Sequence, residues 1–114
     1  MEVNQELQQS YLQVLLIQQA TRFRAAVERV IENGKAPDHI KRYPHACCGI
    51  ISELMGDYLN SLGIGEFNYV CSAKGIASHA WLEVSDLIID ITGDQFHGRP
   101  PIYVDNPDAW YAEW

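Results

Sequence analysis

Three short segments late in the chain restrict the fold most. Residues 67–72, 78–84 and 87–92 are rich in β-branched and aromatic side chains, and Lys74-Gly75 and Ser85-Asp86 interrupt them as turns. Connections this short join antiparallel neighbours, so the pattern predicts an antiparallel meander. Counting outward from a two-residue Ser85-Asp86 turn sets Val84 opposite Leu87, Trp81 opposite Asp90 and His79 opposite Thr92. His79 and Asp90 then share one face as diagonal neighbours, about 7 Å apart at the backbone, within reach of a carboxylate–imidazole contact.

The half of the chain before the meander has a different period. Between residues 6 and 32, Leu12, Leu16, Ala20, Phe23, Val27 and Val30 recur at spacings of three and four, which marks the apolar face of a long helix stopped by Asn33-Gly34. Gln5, Gln8, Gln9, Gln13, Gln18 and Gln19 occupy its other faces, a solvated surface or, as the alternative, an interaction surface. Residues 35–44 hold two prolines and no period, and read as an ordered loop. Cys48, Ile51, Leu54, Met55, Tyr58, Leu59 and Leu62 then restore the helical rule up to Gly63. A second, buried helix therefore begins near Cys48. The expected class is α+β, with N-terminal helices packed on a small antiparallel sheet.

At 114 residues, 47% hydrophobic and 20% charged, the chain suits one domain around one core. No linker divides residues 1–114; the long helix falls in 1–34, the core in 43–96 and an aromatic tail in 97–114. A formal net charge of -7 disfavours nucleic acid as a partner. No apolar run approaches the roughly 20 residues of a transmembrane helix, and the polar start at Glu2, Asn4, Gln5 and Glu6 is unlike a secretory signal. A cytoplasmic location without membrane attachment is the expectation; oligomeric state is not legible. Three cysteines, Cys47, Cys48 and Cys71, are an odd number and argue against a disulfide framework. Cys47 and Cys48 are adjacent, not spaced as zinc ligands are, so neither a metal nor another cofactor is expected.

A cysteine opening a helix, a histidine on a strand and an aspartate on the next strand make chemical sense together. Free backbone N–H groups at the helix start favour a thiolate at Cys48, His79 takes and returns a proton, and Asp90 fixes the ring. Cys47 lies about 100° around the helix, so one of the two thiols at most can aim at the imidazole. Taken singly, each of the three residues is more often a packing residue than a catalytic one.

Their surroundings carry more. Pro44-His45-Ala46-Cys47-Cys48-Gly49, Ser78-His79-Ala80-Trp81-Leu82-Glu83-Val84 and Ile89-Asp90-Ile91-Thr92 resemble, in that order, the transglutaminase-like branch of the papain-like cysteine enzymes. The resemblance covers about residues 43 to 96, and more narrowly it is similar to small bacterial proteins of uncharacterised role. In those the cysteine is usually followed by glycine and an acidic residue; here Ile50 follows Cys48-Gly49. The resemblance implies a papain-like core and a Cys48–His79–Asp90 triad, with Cys48 rather than Cys47 as nucleophile.

The default oxyanion donor is the Cys48 N–H, and Tyr43 and His45 are candidates for a second. Trp81 is expected to shield the His79–Asp90 pair from water, and Asp94-Gln95 to cap or orient the strand end, with Asp94 next in line should Asp90 not reach His79. The implied activity is acyl transfer or amide hydrolysis through a thioester, of peptidase, amidase, deamidase or transglutaminase type, on a protein or peptide amide. The acidic surface mildly favours a basic substrate. Two further readings stand beside it: a non-catalytic interaction module using the Gln-rich helix or Trp110, Tyr111 and Trp114, and a toxin or effector domain. Asp90→Asn is expected to slow Cys48 alkylation with little change in stability.

Overall fold

The computed structural model describes residues 2–114, and its first element is the longest. Helix α1 (Glu2–Glu32) has 31 residues, about 46 Å at the α-helical rise. Leu16 and Ala20 are buried, and Leu12, Phe23, Val27 and Ile31 pack against the same core. Val30, expected on that face, is exposed, and Ile31 takes its place one position on. Leu7, Tyr11 and Val14, at spacings of four and three, are exposed on the first half of the helix.

Helix α2 (Cys48–Ser61) starts where the periodicity predicts. Ile51, Met55 and Leu59 are buried, while Leu54, Tyr58 and Leu62 are exposed. Ser52 and Gly56 are buried instead, because a small side chain lets the helix approach strand β2. A Cβ on Gly56 would stand 3.2 Å from Leu82, and Ser52 donates a hydrogen bond to the Ala80 carbonyl at 3.3 Å.

Strands β1 (Asn68–Lys74), β2 (Ala77–Val84), β3 (Leu87–Asp90) and β4 (Tyr103–Asp105) form one antiparallel sheet in the order β1-β2-β3-β4. The class is therefore α+β. The register pairs Val84 with Leu87, Glu83 with Ile88 and Leu82 with Ile89, as the two-residue turn requires. Ser85 adopts φ 52 there, the left-handed conformation that a tight hairpin turn demands of its first residue. The first turn is shifted from its expected place: β1 continues through Lys74, and Gly75 and the fully exposed Ile76 turn the chain. β3 stops at Asp90 rather than Thr92, because the Thr92 N–H turns back to donate to the Asp90 carboxylate at 3.0 Å.

β4 and the short helix α3 (Ala109–Ala112) arise from the tail and have no counterpart in the sequence pattern. One sheet face packs on α1 and α2 through Leu82, Val84 and Ile89. The other carries a smaller cluster of Trp81, Ile88 and Tyr111, joined by Val70, Tyr103, Trp110 and Trp114. Among the described residues no helix is long and apolar enough to cross a membrane.

The chain enters α2 through a constrained segment. Ala46 has φ 61 and is exposed, so the strain of a left-handed alanine is not offset by packing of its side chain. Ala46→Val is expected to lower unfolding stability by about 1–2 kcal/mol in urea titration, whereas Ala46→Gly retains or raises it.

Candidate active site

Cys48 is the first residue of α2, and its half-buried thiol lies against β2. Helix starts leave N–H groups without intrahelical acceptors. The sulfur lies close enough to the backbone N–H groups of Gly49 and Ala80 and to the His79 imidazole for all three to favour its ionised form. The His79 interaction is the largest influence on the thiol and holds its pKa below the ordinary cysteine value, against the opposing pull of burial. Cys47 next to it is buried among apolar groups, and burial pushes its thiol up to about 11. Cys71 is exposed on β1. The two adjacent cysteines thus have opposite electrostatic settings, and one of them meets the imidazole.

His79 is 0% exposed and Asp90 1% exposed. The His79 Nε2 lies 2.6 Å from Asp90 Oδ2, which leaves Nδ1 as the ring nitrogen for Cys48. Burial alone would lower the imidazole pKa, but Asp90 and then Cys48 outweigh it and raise the value to about 9. The two shifts run in the same sense, toward an ionised thiol beside a protonated ring.

Asp90 is held from both oxygens. Oδ2 also accepts from the Tyr111 hydroxyl at 2.7 Å, while Oδ1 accepts from the Thr92 N–H at 3.0 Å and its hydroxyl at 3.4 Å. Gly93 makes room for this arrangement, since a Cβ there would stand 3.0 Å from Asp90 Oδ2. Tyr111 was not legible as a site residue: it lies in the tail, 21 positions from Asp90. Burial and the Asp90 charge raise the Tyr111 pKa, so its hydroxyl remains a donor.

Aromatic rings enclose the imidazole. Trp81, Phe96, Trp110 and Trp114 all have ring centroids within 5.1–5.8 Å of that of His79. Trp81 is buried beside the pair and donates its indole N–H to Glu83 at 3.2 Å. The tail is held against the sheet: Ser72 donates to the Trp114 carbonyl, and Arg99 pairs with Asp108 at 2.9 Å and lies over the Trp110 ring at 4.4 Å.

The remaining expected residues lie in different places. Tyr43 donates its hydroxyl to the Ile91 carbonyl and packs against the core, so that donor is engaged away from the thiol. His45 is exposed in the loop before α2. Asp94 does not orient His79; both its oxygens accept from Arg24, at 2.9 and 2.7 Å. Arg24 also donates to the Ile91 and Pro101 carbonyls and so fastens α1 to the chain after β3. Gln95 Nε2 lies 3.4 Å from His79 Nδ1 and donates to the Thr92 carbonyl at 3.1 Å.

Among the described residues no group of three or more His, Cys, Asp or Glu side chains is placed to hold a metal ion. The arrangement sets a thiol with a lowered pKa beside an imidazole and a carboxylate that holds the ring, the groups that thiol-based acyl transfer requires. No family model matches the chain, and no curated protein and no solved structure matches it.

Proposed function

We propose that the protein is a cysteine-dependent acyltransferase or amide hydrolase on a papain-like, transglutaminase-like core, with Cys48, His79 and Asp90 as its triad. The observation that carries the reading is the fully buried His79 ring, held at Nε2 by Asp90 at 2.6 Å beside the Cys48 thiol, whose pKa it lowers. Cys48 Sγ attacks an acyl carbon, forming the C–S bond and placing the electron pair of the carbonyl on oxygen. His79 gives its proton to the departing nitrogen as the C–N bond breaks, leaving a thioester and a neutral ring. The ring then takes a proton from water, or from an acceptor amine, as that nucleophile attacks and the C–S bond breaks. Thiolate and imidazolium are restored. Protein or peptide amides of basic character suit a chain with a net charge of -7.

Selective alkylation tests this reading without a known substrate. With iodoacetamide at pH 6–7, Cys48 is expected to be modified at least about tenfold faster than Cys71, and Cys47 slowest because its thiol is buried and its pKa raised. Peptide mapping by mass spectrometry reads this directly, and equal labelling of Cys48 and Cys71 would remove the nucleophile.

A second reading, a protein-binding module, draws on the exposed stripe of Leu7, Tyr11 and Val14 on α1. It requires no enhanced reactivity at Cys48, so the same labelling separates the two.

A further inference from the structure

Oxyanion stabilisation needs preorganised donors beside the attacked carbonyl, and one backbone N–H is seldom the whole provision. Tyr43 is engaged with the Ile91 carbonyl, and His45 is exposed in its loop. A different tyrosine stands at the start of α2. A Cβ built on Gly49 would lie 3.1 Å from the Tyr69 hydroxyl oxygen, so the phenol ends directly over the residue that follows Cys48. The β1–β2 register sets Tyr69 opposite Leu82, on the sheet face that α2 covers, and sets Cys71 opposite Ala80. Ala80 lies against the first turns of α2, its carbonyl accepting from Ser52 at 3.3 Å. Tyr69 therefore reaches the start of α2 from the β1 side.

We infer that the Tyr69 hydroxyl is the second oxyanion donor, acting with the Cys48 backbone N–H, and that residue 49 is glycine to admit it. This rests on the acyl-transfer reading above. When Cys48 Sγ attacks, the carbonyl oxygen gains the electron pair and accepts hydrogen bonds from Tyr69 and from the Cys48 N–H. No proton changes owner in these contacts, and both relax when the C=O bond re-forms. Tyr69 is 43% exposed, so an incoming carbonyl has access to its hydroxyl. Burial and the adjacent Cys71 thiol raise its pKa, which keeps the phenol protonated and able to donate.

The test uses p-nitrophenyl acetate as the acyl donor and the full chain, with nitrophenolate release giving the acylation rate. Tyr69→Phe is expected to slow acylation by about 10²-fold, the usual effect of losing one oxyanion donor. Gly49→Ala, which pushes the hydroxyl aside, is expected to match that loss and to add little in the Tyr69→Phe background. Iodoacetamide alkylation of Cys48 passes through no oxyanion, so its rate and pH profile should stay within about twofold of the parent. Acylation unchanged in Tyr69→Phe, while Cys48→Ala abolishes it, would overturn the donor role and leave the acyl-transfer reading standing. Alkylation slowed as much as acylation would also overturn it, because Tyr69 would then act on the thiolate. Turnover that survives Cys48→Ala would overturn both.

Discussion

Cys48→Ala is expected to eliminate ester turnover, lowering kcat/KM by at least about 10³-fold, since no other group in the site can form the thioester. The stability cost should be no more than about 1–2 kcal/mol, because the thiol is half-buried and its loss opens little cavity. His79 keeps its Asp90 partner in the variant, so the imidazole is not left as an isolated buried charge. Ester hydrolysis and urea unfolding measured on the same preparation separate the two effects. A variant that unfolds would make Cys48 a packing residue.

Asp90→Asn is expected to act on both reactivity and stability, and the stability effect departs from what the sequence pattern leads one to expect. The carboxylate accepts from His79, Tyr111 and both donors of Thr92 while 1% exposed, and an amide presents an N–H₂ group to one of those sets of donors. A loss of about 2–3 kcal/mol is expected from removing a buried charge-assisted acceptor. Its pH dependence has a definite sign. His79 is raised to about 9 in the fold from an ordinary value of 6.5, so the stabilisation from its partners is fully present below about 6.5 and fades as pH rises through 9. The deficit of Asp90→Asn should therefore be largest near pH 6 and shrink toward pH 10. Without the carboxylate the ring loses its proton at lower pH, the Cys48 thiol is less readily ionised, and alkylation at pH 7 slows as its acid limb moves upward. Alkylation and chemical denaturation across pH 6–10 check both parts; parent-like curves would end the triad assignment.

The parts of this geometry that follow from counting residues were the legible ones. A two-residue turn fixes which side chains share a face, and so Val84–Leu87 pairing brings Asp90 to His79 before any packing is known. The 100° helical step expected between Cys47 and Cys48 does not apply, because Cys47 is the non-helical N-cap (φ -141, ψ 13) and α2 begins at Cys48. Contacts between distant segments have no such rule. Arg24 and Asp94 are 70 positions apart, and their pairing depends on how α1 docks. Tyr69 reaches Gly49 because β1 lies along α2, which periodicity does not specify. β4 is only three residues long and follows Pro100 and Pro101, so it carries too little alternation to stand out. Trp110, Tyr111 and Trp114 read equally well as a free binding tail until the sheet face that they cover is known.

The aromatic enclosure of His79 has a consequence for the order in which the protein acquires its chemistry. Cys48, the His79–Asp90 hairpin and the Trp110–Tyr111–Trp114 segment are successive pieces of chain, and the last of them supplies both a wall of the imidazole and a hydroxyl on Asp90. A chain in which the hairpin has formed but the tail has not docked has an imidazole open to water and a carboxylate short of one donor. On the proposed function, an activated sulfur therefore requires the docked tail, and a molecule with the tail undocked lacks the complete site.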